Sequence, residues 1–140
     1  VVMVGANSKV EMKEKKDRVE DAIYATKAAL QEGIVPGGGV ALLNAAERIS
    51  AKNEGEKILL DAIRAPYATI LDNAGIDQTQ ELTQGYGINV VTGKEVDMIS
   101  AGIIDPVLVT KSALKNAVSV VTTIVSADCV ISNIRMNEGS

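Results

Sequence analysis

The chain has 140 residues, with no histidine, phenylalanine or tryptophan, and a single cysteine. Each shortage removes a class of function. Without histidine and with Cys129 alone, a His/Cys zinc site cannot be assembled. Ser/His/Asp and Cys/His catalytic groups are excluded for the same reason. One cysteine leaves no internal disulfide and suits a reducing compartment, so a cytoplasmic location is expected. The only aromatics are Tyr24, Tyr67 and Tyr86, too few for a base-stacking platform. A net charge of −4, from 14 basic and 18 acidic residues, also argues against a nucleic-acid partner. The longest apolar run, AVSVVTTIVSADCVI, is broken by Ser119, Thr122, Thr123, Ser126 and Asp128. No membrane span is therefore expected. No signal-peptide pattern is visible, and the opening VVMVGANSKV looks like the middle of a strand.

What the chain does have is aliphatic. Val, Ile, Leu and Ala carry a 46% apolar content, enough for the core of one domain, or one domain with an appendage. A buried strand is expected over 1–4. Asn7 or Ser8 can cap a helix reaching about Gln31, with Gly33 just past its end. On it, Met12, Val19, Ile23, Thr26 and Leu30 form one apolar stripe, and Glu11–Lys15 and Glu14–Arg18 are favourable i,i+4 pairs. Helices follow over 40–49 and 54–74, the second kinked or divided by Pro66 and closed by Gly75. A short helix is expected over 77–83. YGINVVTGKEVDMI has the pattern of a hairpin with Thr92, Gly93 and Lys94 at its tip. A loop over 102–106 leads into a helix over 107–126, apolar on most of its circumference and hence expected to be central. CVISNI should be a last strand, with Cys129 an inert core residue. The fold class is mainly α with small β-ribbons.

Four features could carry chemistry. In EGIVPGGGVALL the glycines at 37, 38 and 39 precede a helix, where backbone N–H groups are exposed and a ligand can approach closely. The stretch lacks GKS or GKT, so it is not a Walker loop, and Leu42 stands where a dinucleotide fingerprint needs Gly or Ala. By itself it is either a tight inter-helix connection or a ligand-facing loop. Asp21 lies opposite the apolar stripe, beside Asp17, Tyr24, Ala25 and Ala28. It is either a solvated carboxylate or one that orients a water. Asp105, before Pro106, is either a helix N-cap or an acceptor for ribose hydroxyls. Asn89 can pair with a base edge or with backbone. Lys111 is solvated rather than catalytic.

Taken in order, the motifs resemble one family. VEMKEKKDRVEDAIYATKAALQEGIVPGGGVALL and GIIDPVLVTKSALKNAVSVVTTIVSADCVI, with GYGINVVTG between them, are similar to segments of group I chaperonins, the bacterial GroEL and organellar 60 kDa chaperonin family. The resemblance covers essentially the whole chain. It implies a chaperonin equatorial-domain helical bundle plus part of the intermediate domain, with 1–32 intermediate and 33–140 equatorial.

The same resemblance implies roles for single residues. Gly38 matches the glycine that lies against the nucleoside. Asn89, Val90 and Val91 match the segment beside the adenine, where the family usually carries two alanines after the first residue. Asp105 matches the ribose-binding aspartate, and Asp21 the carboxylate that positions the attacking water. No metal ligand is expected within the chain. The family's phosphate loop and magnesium-binding aspartate have no counterpart here, so ATP or ADP with Mg²⁺ is a cofactor of an intact parent. Expected partners there are other subunits in a double ring, a co-chaperonin and unfolded polypeptides. This chain alone should not hydrolyse ATP. The alternative is an autonomous helical module that associates with itself.

Overall fold

The computed structural model describes residues 1–77, 82–129 and 131. Helix α1 spans Lys9–Glu32 and strand β1 Ile34–Pro36. Helices α2 (Val40–Arg48), α3 (Glu54–Ala62) and α4 (Ala65–Ala74) follow. Strands β2 (Tyr86–Asn89), β3 (Lys94–Asp97) and β4 (Ile104–Pro106) precede α5 (Val107–Val125). The fold is mainly α with two small antiparallel ribbons, β1–β4 and β2–β3.

Local chemistry sets the helix starts. The Ser8 hydroxyl accepts the Glu11 N–H at 3.2 Å, and the Glu11 carboxylate accepts the Asn7 N–H at 3.1 Å. Asn53 does the same for α3, accepting the Glu56 N–H at 2.9 Å. Each satisfies donors that a helix start leaves unpaired. The expected pairs Glu11–Lys15 and Glu14–Arg18 form on the exposed side of α1. Gly75 closes α4 in the left-handed conformation.

The core gathers Val40 from α2, Tyr67 and Leu71 from α4, and Met98 just after β3. Ile88, Val96 and Ile103 pack around them. The α4 helix and the β2–β3 ribbon thus clamp the start of α2.

Several expectations are corrected. Residues 1–4 form no strand, and Val1, Val2 and Met3 are exposed; an apolar run needs a pairing partner to become a strand. The stripe on α1 is not its packing face. Met12, Ile23 and Leu30 are exposed, and Ala28 is the buried residue. The helix packs on β4 and α5 through its Ala-rich side, where small side chains permit close approach. As expected, the 54–74 segment divides, into α3 and α4 at Ile63 and Arg64, with Pro66 in the first turn of α4. The 102–106 stretch is not simply a loop: β4 pairs with β1, placing Ile34 opposite Pro106, Val35 opposite Asp105 and Pro36 opposite Ile104.

Helix α5 is not central, since none of its residues is buried. By length and composition it could cross a membrane, which the interrupting Ser and Thr residues led the sequence reading to exclude. Those hydroxyls interrupt less than their polarity suggests. Thr110, Thr122 and Thr123 donate to the carbonyls of Pro106, Val118 and Ser119, so their hydroxyls are paired within the helix. Cys129 is exposed. Ile131 is exposed; the other residues of the expected last strand, and most of the helix expected over 77–83, lie outside the described residues.

Candidate functional site at the triple-glycine turn

The turn after β1 is built by close contacts. The Gly37 N–H donates to the Ile103 carbonyl at 2.9 Å. Gly38 and Gly39 hold φ of 63° and 82°, left-handed backbone that other residues rarely adopt. A Cβ on Gly39 would lie 2.7 Å from the Tyr67 nitrogen, so α4 packs directly against the turn. Gly39 also serves as the N-cap of α2 without a side chain. Among the described residues, no acceptor takes the N–H of Gly38 or Gly39.

Asp105 lies beside this turn because β4 pairs with β1. It does not cap α5. Pro106 occupies that position, and no side chain supplies the cap. Asp105 is half-buried, and no donor among the described residues holds its carboxylate. A half-buried carboxylate with free lone pairs fits a ligand that brings hydroxyl donors.

Asn89 ends β2 and reaches into its own turn. Its Oδ1 accepts the Val91 N–H at 3.0 Å. The oxygen is therefore committed to backbone, and the amide NH₂ is the part left to pair with a ligand. The Asn89 side chain shares a face of β2 with Gly87, roughly 7 Å away along the strand. At Gly87 a Cβ would meet Val40 Cγ2 at 2.6 Å and Met98 Sδ at 2.9 Å. The adenine-side candidate thus sits one strand repeat from the core beneath the glycine turn. Val90 and Val91 form the exposed hairpin turn.

Asp21 stands apart from the other five positions. It is exposed on α1, with no ion pair among the described residues. It does share the Ala28 side of the helix, seven residues and about 10 Å from that buried contact. That side is the one β4 and α5 cover lower down.

An apolar groove of about 760 Å³ runs between α3 and α5, lined by Ile58 and Leu59 on one wall and Val109, Ala113 and Val121 on the other. It meets the glycine turn only at its end, through Gly39 and Asp105. Its walls offer little to a nucleotide, so it is a neighbour of the candidate site rather than the site. Among the described residues, no cluster of His, Cys, Asp or Glu is arranged to hold a metal ion.

Sequence reasoning missed three contributors. Met98 lies under the site. Gly87 carried a signal, since a glycine inside a strand pattern marks close backbone approach. Glu32 carried none, because its partner Lys111 is 79 residues away. Lys111 is largely exposed, as expected, and also pairs with Glu32.

The profile of the TCP-1/cpn60 chaperonin family matches residues 1–135, and the chain belongs to that family. Among solved structures it is similar to a group III chaperonin crystallised in the open state. The TM-score is 0.76 and the identity 26%, over 94% of this chain and 30% of that one. The chain thus spans less than a third of that relative's length.

Proposed function

We propose that this chain is a portion of an ATP-dependent chaperonin of the group I type, which assists folding of unfolded polypeptides inside a double ring. In this reading residues 1–32 belong to an intermediate domain and 33–140 to an equatorial domain. The turn at Gly38, the Asn89 amide with Val90 and Val91, and the Asp105 carboxylate form one wall of a nucleoside pocket. Subunits of the same kind, a co-chaperonin and unfolded chains are the partners, and the location is the cytoplasm.

The observation that carries the reading is the β1–β4 pairing. It sets a half-buried carboxylate near two N–H groups at a helix start, none of which has a partner among the described residues. ATP with Mg²⁺ would supply the γ-phosphoryl group that goes to water, leaving ADP. The residues of this chain hold the nucleoside end: Asp105 accepts from ribose hydroxyls, and the Asn89 NH₂ donates to the base. Asp21 would orient water only after α1 swings toward the pocket, the usual logic of a closing domain. Phosphoryl transfer depends on positioning and on cation neutralisation of the phosphates, and this chain provides neither group.

Titration of the purified chain with ATP by calorimetry tests the pocket. Weak binding that Asp105→Ala abolishes is expected. Binding unaffected by that change would remove Asp105 from the reading. No Mg²⁺-dependent turnover is expected, and turnover lost in Asp21→Ala would refute that part.

A second reading, self-association of this chain, is favoured by its surface. The chain exposes 11103 Å², against roughly 6,900 Å² for a compact monomer of this mass by surface–mass scaling. The excess is several times the roughly 800 Å² per partner that a standard interface buries. Light scattering across a concentration series should show dimer or larger species, and a clean monomer at high concentration would dismiss it.

A further inference from the structure

We propose that Met98 is a positioning residue that sets the spacing of Gly38, Asn89 and Asp105; this rests on the nucleoside reading above. Met98 is 2% exposed, with its side chain beside the glycine turn and β2 and its backbone bonded to Ile103, just before β4. Its Cε lies 3.1 Å from where a Cβ on Gly38 would stand. Its Sδ and Cγ lie 2.9 and 3.3 Å from the corresponding point on Gly87, the residue that shares a strand face with Asn89. Its N–H donates to the Gly85 carbonyl at 3.1 Å, just before β2. Its carbonyl accepts the Ile103 N–H at 2.8 Å, and the Ile103 carbonyl accepts the Gly37 N–H at 2.9 Å. One residue therefore links the glycine turn, the Asn89 strand and the approach to β4.

The chemistry suits methionine. Gly38 and Gly87 present no side chains, so the space between turn and strand must be filled from elsewhere. An unbranched thioether can thread between two backbones and adapt to both. Shortening it leaves a void between turn and strand, with Val40 Cγ2 the other side-chain atom packed at Gly87. Close packing makes such a void felt as displacement rather than as a local loss alone.

The test compares Met98→Ala and Met98→Leu with Leu71→Ala, a truncation in the same core. Both alanine variants should lower the unfolding midpoint. Only Met98→Ala should shift the amide resonances of Gly38, Asn89 and Asp105 together and weaken ATP binding about tenfold. Met98→Leu, which conserves volume, should restore both. If Met98→Ala does not fold, Met98→Val carries the same test with smaller shifts. Amides that stay in place, or that Leu71→Ala moves equally, would overturn the proposal. A wild-type chain that binds no ATP would count against the nucleoside reading, while the amide comparison would still decide the role of Met98.

Discussion

The Lys111 ammonium donates to the Glu32 carboxylate at 2.7 Å across 79 residues of sequence. The pair joins the last turn of α1 to the first turns of α5. Beside it the Val107 N–H donates to the Gly33 carbonyl at 3.1 Å. These polar contacts supplement the Ala-faced packing that fixes α1 to the body, whereas the first half of α1 is solvated. Glu32→Gln should therefore speed hydrogen exchange in the last turns of α1 without unfolding the body. The Lys111 side chain is 64% exposed, so a double-mutant cycle should return less than about 1 kcal/mol, falling further in salt.

Two glycines should respond to alanine with opposite sign. Gly39→Ala forces a methyl to within 2.7 Å of the Tyr67 backbone at a φ of 82°. It should destabilise the chain by about 2–3 kcal/mol. Gly55 lies in the first turn of α3, where an added Cβ meets only Asn53 Oδ1 at 3.4 Å. Gly55→Ala should stabilise by roughly 0.5 kcal/mol through backbone entropy. Urea unfolding of the two variants decides the signs.

Asp105 should separate binding from stability. No described residue pairs with its carboxylate, so Asp105→Asn should move the thermal midpoint little. Loss of a charge-assisted hydrogen bond should still weaken ATP binding by about 1.5–3 kcal/mol. Calorimetry and a thermal melt on the same sample check both halves. A large drop in stability would mean the carboxylate has a structural partner instead.

For Asn89 the acceptor oxygen and the donor NH₂ have different duties. Asn89→Asp keeps the bond from the Val91 N–H and should preserve the hairpin, while removing the donor proposed for the base. Asn89→Ala removes both and should also cost about 1 kcal/mol of stability. Exchange rates of the Val91 amide, measured beside ATP affinity, distinguish the two effects.

Much of the chain was legible because its causes are local. Ser8 and Glu11 start α1, Gly33 and Gly75 stop helices, Pro66 opens α4, and period-2 alternation marks the β2–β3 hairpin. The ordered motifs from Val10 to Ile131 carried the family. Their residue types also located the candidate positions 38, 89 and 105.

Tertiary structure decided which faces are used. The α1 stripe was apolar, but the Ala side packs, because helix approach rewards small side chains over hydrophobic ones. Helix α5 was apolar enough to be central, yet its burial depends on partners that its own sequence cannot name. The β1–β4 pairing joins residues about seventy positions apart, so no local pattern announces it, and it alone brings Asp105 to the glycine turn. The sequence by itself determined most of the elements, through caps, turns and periodicity, and its resemblance to chaperonins picked out the candidate residues. Only the fold paired β1 with β4 and set Met98 beside both the glycine turn and β2, because those contacts join segments far apart in the sequence.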